Sequence, residues 1–195
     1  MKAIYAEKAF ATSLADADAM VEAVEVPVTL KTRLGWDDDL MNAPTLAAQA
    51  EAAGIRMITI HGRTRCQFYK GRADWGAIRA VKDAVDIPVI ADADTGYGNE
   101  LNVTRTVREY ERAGIAAIHI EDQASPKRCG HLDGKELIPL NEYVAKIRAA
   151  AAARHDPNFV IIARTDANAV TGFEDSINRA NTALANGADI AFVEA

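Results

Sequence analysis

Residues 87–131 read IPVIADADTGYGNELNVTRTVREYERAGIAAIHIEDQASPKRCGH, and the fold is decided there. An apolar run from Pro88 to Ala91 delivers two carboxylates, Asp92 and Asp94, to its end. A glycine-rich turn at Gly96-Tyr97-Gly98-Asn99 leads into a helical pattern that runs to about Arg112. A second apolar run, 116–120, ends in Glu121-Asp122, and a polar loop follows with Lys127, Arg128, Cys129 and His131. The spacing predicts a strand, a helix and a second strand, with acids at both strand ends beside a thiol and an imidazole. That pattern has the composition of a site.

The same alternation extends outward in both directions. Strands are expected at 2–6, 26–32, 57–61, 87–92, 116–121, 159–164 and 190–194, and helices at 14–23, 43–53, 75–85, 102–113, 140–153 and 173–185. Gly54, Gly114 and Gly187 follow three of the helices, where a residue tolerant of the left-handed conformation closes the last turn. Pro27 and Pro88 each open a strand, where a missing N–H does least harm. Nearly unbroken apolar strands are those of a parallel sheet covered on both faces. Repeated right-handed crossovers then leave a doubly wound sheet or a (β/α) barrel. Polar residues fall at many strand ends: Lys31 and Arg33, His61 and Arg63, Asp92 and Asp94, Glu121 and Asp122, Arg164 and Asp166, and Glu194. Chemistry spread over one rim is a barrel property, whereas a doubly wound sheet concentrates it at one switch point. The reading is an α/β protein with a TIM-type (β/α) barrel, incomplete or closed with about seven to eight strands, in a single domain spanning 1–195.

Bulk properties narrow the function. The 195 residues carry 49% hydrophobic and 26% charged residues, which is a globular composition. A formal net charge of −6 opposes non-specific nucleic-acid binding. No basic-then-apolar leader and no run of membrane-spanning length is present, and Cys66 and Cys129 lie far apart, so a reducing cytoplasm is expected. An open edge strand would be a liability for a monomer, which favours a homo-oligomer.

The motifs resemble two families in succession. From 26 to 91, VPVTLKTRLGWDDD and AEAAGIRMITIHGRTRCQFYKGRADWGAIRAVKDAVDIPVIA resemble the tRNA-dihydrouridine synthases, flavin enzymes with a barrel domain. From 88 to 195, DADTGYGN, IHIEDQ, PKRCGH, FVIIARTDA and the final VEA resemble the isocitrate lyase and phosphoenolpyruvate mutase superfamily, most closely the methylisocitrate lyases. The shared Ile-Pro-Val-Ile-Ala strand is a natural seam, as in a chimera of the two barrel families.

The lyase resemblance implies a divalent ion, Mg2+ with Mn2+ as its substitute, held by Asp92, Asp94 and Glu121. Carboxylate oxygens are the ligands such hard cations take. It also implies that Cys129 exchanges a proton with the substrate carbon. Lys127, Arg128 and His131 would lower the thiol pKa, and Gly130 would give the loop freedom. Arg164 would grip a substrate carboxylate, for which a guanidinium fork is suited, and Glu194 matches a family glutamate at the site. Asp166 is read as either a helix cap or a participant, His119 as a core residue, and His155 as surface. The synthase resemblance places Lys31 and His61 against flavin mononucleotide (FMN), but the acids Asp92 and Asp94 oppose a flavin phosphate where backbone N–H groups are wanted. Cys66 has no assigned role, and Tyr69 and Trp75 are read as packing. Both resemblances are partial: the synthase's catalytic cysteine and the lyase's Ser-Gly-Gly substrate loop have no counterpart here. The leading expectation is a Mg2+-dependent carbon–carbon lyase acting on a small 2-hydroxy or 2-methyl tricarboxylate. The alternatives are a catalytically silent barrel scaffold and an FMN-binding remnant.

Overall fold

The structure is a computed structural model that describes residues 4–6, 14–128 and 134–194, with side chains at residue 16 and from residue 18 onward within those ranges. The chain forms two compact units, 1–91 and 92–195.

In the first unit, β1 (Ile4–Ala6), α1 (Leu14–Glu22), β2 (Val28–Arg33), α2 (Ala43–Ala52), β3 (Ile58–His61) and α3 (Trp75–Asp83) alternate. β1 lies parallel to β2 with Ile4 opposite Val28, and β2 parallel to β3 with Leu30 opposite Ile58 and Arg33 opposite His61. Parallel pairing follows from the connections: each strand returns through a helix, as parallel neighbours require. α2 buries Ala43, Ala47 and Ala50, one helical face of small side chains, and α3 buries Ile78 and Val81. Asp74 caps α3 by accepting the Ala77 N–H at 2.9 Å. Pro27 and Pro88 lie one residue outside the strands they were expected to open, and Pro88 serves only as an acceptor, for the Ile58 N–H at 3.1 Å.

The chain passes from one unit to the other within β4 (Val89–Asp92). The second unit continues with α4 (Glu100–Arg112), β5 (Ala117–Glu121), α5 (Leu140–Ala153), β6 (Val160–Thr165), α6 (Ala167–Val170), α7 (Phe173–Ala185) and β7 (Ile190–Val193). β5, β6 and β7 are parallel, and the register sets Glu121 beside Arg164 and Thr165 beside Val193. Tyr143, Ile147, Ala163, Ala183 and Ala188 form a core under β6, with Ile138 and Leu140 packed against it. α4 begins two residues before the apolar periodicity suggests. The Asn99 side chain accepts the Leu101 and Asn102 N–H groups, and the Asn102 side chain accepts the Asn99 N–H, so polar residues extend the helix backward. The four-residue α6 was not expected; Thr165 Oγ1 accepts the Ala167 N–H at its start.

Six strands of four to six residues, β2 to β7, carry the sheet structure, and β1 adds three residues. The expectation of seven to eight strands is reached only by counting β1, and the eight of a closed barrel are not present among the described residues. Gly54, Gly114 and Gly187 do take positive φ values after their helices, of 95°, 75° and 109°.

Candidate active site

The carboxyl ends of β4, β5, β6 and β7 bring a dense set of charged side chains together in the second unit. Asp92 ends β4, and its Oδ1 accepts the Asp94 N–H at 3.1 Å. The backbone beyond β4 stays laced to β5: Ala93 N–H donates to His119 O at 3.1 Å, and Glu121 N–H to Asp94 O at 2.8 Å. Within this lacing Asp94 sits at φ 51°, and beyond it Tyr97 sits at φ 61°, a region that non-glycine residues rarely occupy. Gly96 makes the turn: at φ 85° a side chain there would set its Cβ 2.5 Å from Val103 Cγ2. The Tyr97 hydroxyl meets Tyr110 Oη at 3.0 Å and lies 3.4 Å from Asp92 O; burial pushes its pKa up. Such backbone outliers concentrate at functional sites, where surrounding contacts hold them.

Asp92, Asp94 and Glu121 converge on one point, marked by the ammonium of Lys127. Its Nζ lies 2.8 Å from Asp94 Oδ1, 3.2 Å from Glu121 Oε2 and 3.8 Å from Asp92 Oδ1. Burial disfavours the lysine charge, but the three carboxylates outweigh it and hold the pKa above the usual lysine range. Glu121 is fully buried, and burial pushes its carboxyl up to about 7 against the pull of Lys127 and Arg164. Its Oε1 accepts no hydrogen bond among the described residues. His119 is buried as expected of a core residue, and its Nε2 stands 3.6 Å from Asp92 Oδ2.

Arg164 is enclosed by the chain's own acids. Nε and Nη2 each lie 3.2 Å from an oxygen of Asp166, Nη2 is 3.1 Å from Glu194 Oε2, and Nε is 3.6 Å from Glu121 Oε2. The guanidinium also lies over the Phe192 ring, 5.4 Å from its centroid. Asp166 makes no side-chain cap to α6; it binds Arg164 and stands 3.5 Å from Lys135 Nζ. Of its two open readings, the cap is therefore excluded.

Behind this layer, Asp122 accepts from Thr165 Oγ1 at 2.6 Å, Asp166 N at 3.0 Å and Arg179 Nη1 at 3.3 Å. Gln123, also buried, grips the next loop: its Oε1 accepts the Arg128 N–H at 2.9 Å and its Nε2 donates to Arg128 O at 3.0 Å. Sequence reasoning passed over Gln123, Lys135 and Arg179 as functional residues. Arg179 had a signal: it shares a helical face with Ser176, Ala180 and Ala183, which marks a buried cation.

Asp92 and Asp94 offer carboxylate oxygens close enough together to hold a divalent cation. Among the described residues, the carboxylates of Asp92, Asp94, Glu121, Asp122, Asp166 and Glu194 are buried beside the cationic side chains of Lys127, Lys135, Arg164 and Arg179. Glu121 Oε1, which accepts no hydrogen bond among the described residues, is a further carboxylate oxygen of the kind such cations take. Cys129 and His131 lie outside the described residues. In the first unit, Lys31 lies on β2, and His61 is buried at the end of β3, 3.5 Å from Arg63 Nη1 and edge-on to Tyr69. The Cys66 thiol is exposed.

Residues 69–195 match the family model described as Phosphoenolpyruvate phosphomutase, and residues 11–107 match that described as Dihydrouridine synthase. The chain is 42% identical over 158 residues to 2-methylisocitrate lyase of Shewanella oneidensis, covering 76% of this chain and 54% of that protein. Its structure is similar to that of 2,3-dimethylmalate lyase, a PEP mutase/isocitrate lyase superfamily member, with TM-score 0.71 and 34% identity over 95% of this chain and 63% of the other. It is also similar to phosphonopyruvate hydrolase in complex with oxalate and Mg2+, with TM-score 0.68 and 31% identity over 93% and 63% of the two chains. The chain spans about half the length of the curated relatives it matches.

Proposed function

The chain belongs to the phosphoenolpyruvate phosphomutase family, and from that premise we propose that it is a Mg2+-dependent carbon–carbon lyase of the methylisocitrate lyase type. Its substrate in this reading is a small 2-hydroxy or 2-methyl tricarboxylate, and its product a pyruvate- or glyoxylate-type acid. The observation that carries the reading is the convergence of Asp92, Asp94 and Glu121 on one buried point.

Asp92, Asp94 and Glu121 hold the ion, Mg2+ or, with the same oxygen chemistry, Mn2+. Bound there, the ion would supply Lewis-acid stabilisation of the 2-alkoxide as it becomes the keto oxygen of the pyruvate-type product, while the electron pair of the broken C–C bond passes to the departing dicarboxylate carbon and is protonated there. Arg164 orients a substrate carboxylate through Nη1, while Asp166 and Glu194 hold the guanidinium in place through Nε and Nη2. Cys129 exchanges the proton with the substrate carbon, and Lys127 and His131 favour its thiolate; Cys129 and His131 enter on their sequence context alone. The protein works in the cytoplasm as a homo-oligomer.

A second reading, the catalytically silent scaffold, draws support from Lys127 and Arg164, whose charges are met by acids of the same chain. An FMN-binding remnant draws support from the synthase match and from Lys31 and His61; flavin titration with no change in its absorbance or fluorescence would remove it.

The deciding experiment is a thermal melt with and without millimolar Mg2+, on the chain and on Asp92→Ala. A ligand at about a hundred times its dissociation constant adds roughly 2.7 kcal/mol, which for this size is a rise of about 5 to 11 °C. The rise is expected only with Asp92 present. A cooperative melt indifferent to the ion would leave the scaffold reading standing. With a metal-dependent melt in hand, undiminished turnover in Cys129→Ala would remove the proposed acid–base residue.

A further inference from the structure

The three carboxylates assigned to the ion already hold a cation supplied by the chain. Lys127 Nζ is 2.8 Å from Asp94, 3.2 Å from Glu121 and 3.8 Å from Asp92, so it stands among them rather than beside one. A Mg2+ ion bound to the same oxygens at about 2.0–2.1 Å would need that space. The ammonium is kept there by the backbone that follows it. Gln123, 1% exposed, binds both polar groups of the Arg128 peptide, accepting its N–H and donating to its carbonyl. The same segment is closed further along by Ala124 N–H to Glu136 O at 2.7 Å and Ile138 N–H to Asp122 O at 2.9 Å. A lysine stem is long enough, with enough rotors, to swing out of such a position while its backbone stays.

We propose that Lys127 is a tethered counter-ion that competes with the divalent cation for Asp92, Asp94 and Glu121, with Gln123 as the residue that positions it. The proposal rests on the metal reading above. It makes Lys127 an acid-bound residue without the ion and one released toward the open site with the ion. The arrangement also accounts for how three acids lie close together around one ammonium.

Calorimetric titration with MgCl2 tests this on the metal-free wild type, Lys127→Met, Lys127→Arg and Gln123→Ala, with Asp92→Ala as the blank. Lys127→Met is expected to bind Mg2+ about tenfold tighter or more, because a competing like charge is gone. Lys127→Arg, which keeps the charge, is expected to stay near wild type. Gln123→Ala changes no charge, so a tighter Mg2+ affinity there reports loss of tethering and not a general electrostatic effect. Unchanged or weaker binding in Lys127→Met, with the wild type still binding, overturns the competition and leaves the metal site intact. No binding by any protein overturns the metal reading and this proposal together. If Lys127→Met does not fold without the ion, Gln123→Ala decides, and an affinity equal to wild type there overturns the proposal.

Discussion

Arg179 reaches from α7 to the Asp122 carboxylate at 3.3 Å and to the Ile138 carbonyl at 3.1 Å, and binds Asp175 on its own helix at 2.9 Å. Asp122 and Arg179 are both buried, so removing one member strands the other's charge. Arg179→Met is expected to cost about 3 to 5 kcal/mol in a denaturant titration, whereas truncating an exposed pair such as Arg79–Asp83 costs less than about 1 kcal/mol. Asp175 gives a pH signature. Hydrogen bonds from Thr171 and Arg179 hold its carboxyl below the usual value. Its folded pKa is depressed, so its stabilisation is complete above the unfolded value and lost as pH falls through the folded one. Melts from pH 7 downward should therefore find Asp175→Asn less stable than wild type near neutrality, with the gap closing below about pH 4. A gap independent of pH would mean that the ionised carboxylate contributes nothing.

Elements meet their ends through polar residues more than through apolar period. α4 starts at Glu100 because Asn99 and Asn102 satisfy the first N–H groups reciprocally. Asn99→Ala should cost about 1 kcal/mol, read as a lower melting temperature. The turn that feeds α4 is a separate case. Gly96 combines φ 85° with a would-be Cβ 2.5 Å from Val103 Cγ2, whereas Gly71 has φ 71° and open space. Alanine at Gly71 is expected to cost only backbone strain, about 1 to 2 kcal/mol, and alanine at Gly96 that strain plus an overpacking penalty of about 1 to 3 kcal/mol. Equal losses at the two positions would show that the Val103 contact relaxes freely. Because Gly96 sits two residues from Asp94, its substitution should also weaken Mg2+ binding, whereas Gly71→Ala should not.

For the whole molecule, no helix among the described residues is long and apolar enough to cross a membrane. In the second unit, Phe173, Ile177 and Leu184 of α7 and Ile190 of β7 stay exposed. A mass measurement in solution is expected to exceed the 21.0 kDa of one chain, and a monomeric mass at micromolar concentration would overturn the homo-oligomer. Read alone, the sequence determined the order of the strands and of every helix but the four-residue α6, and the acids at the strand ends. Both follow from local periodicity and from where an apolar run meets a polar residue. It also singled out Asp92, Asp94, Glu121, Lys127, Arg164 and Glu194 as candidates, because their motifs are contiguous, and the structure brings these side chains together. Only the tertiary structure decided their partners. Lys127 turned toward three carboxylates, Asp166 toward Arg164 and Lys135, and Gln123 toward the Arg128 backbone. The physical reason is that a buried charge is governed by the nearest opposite charge in space, and register and loop path set that neighbour across sequence separations such as the 57 residues between Asp122 and Arg179.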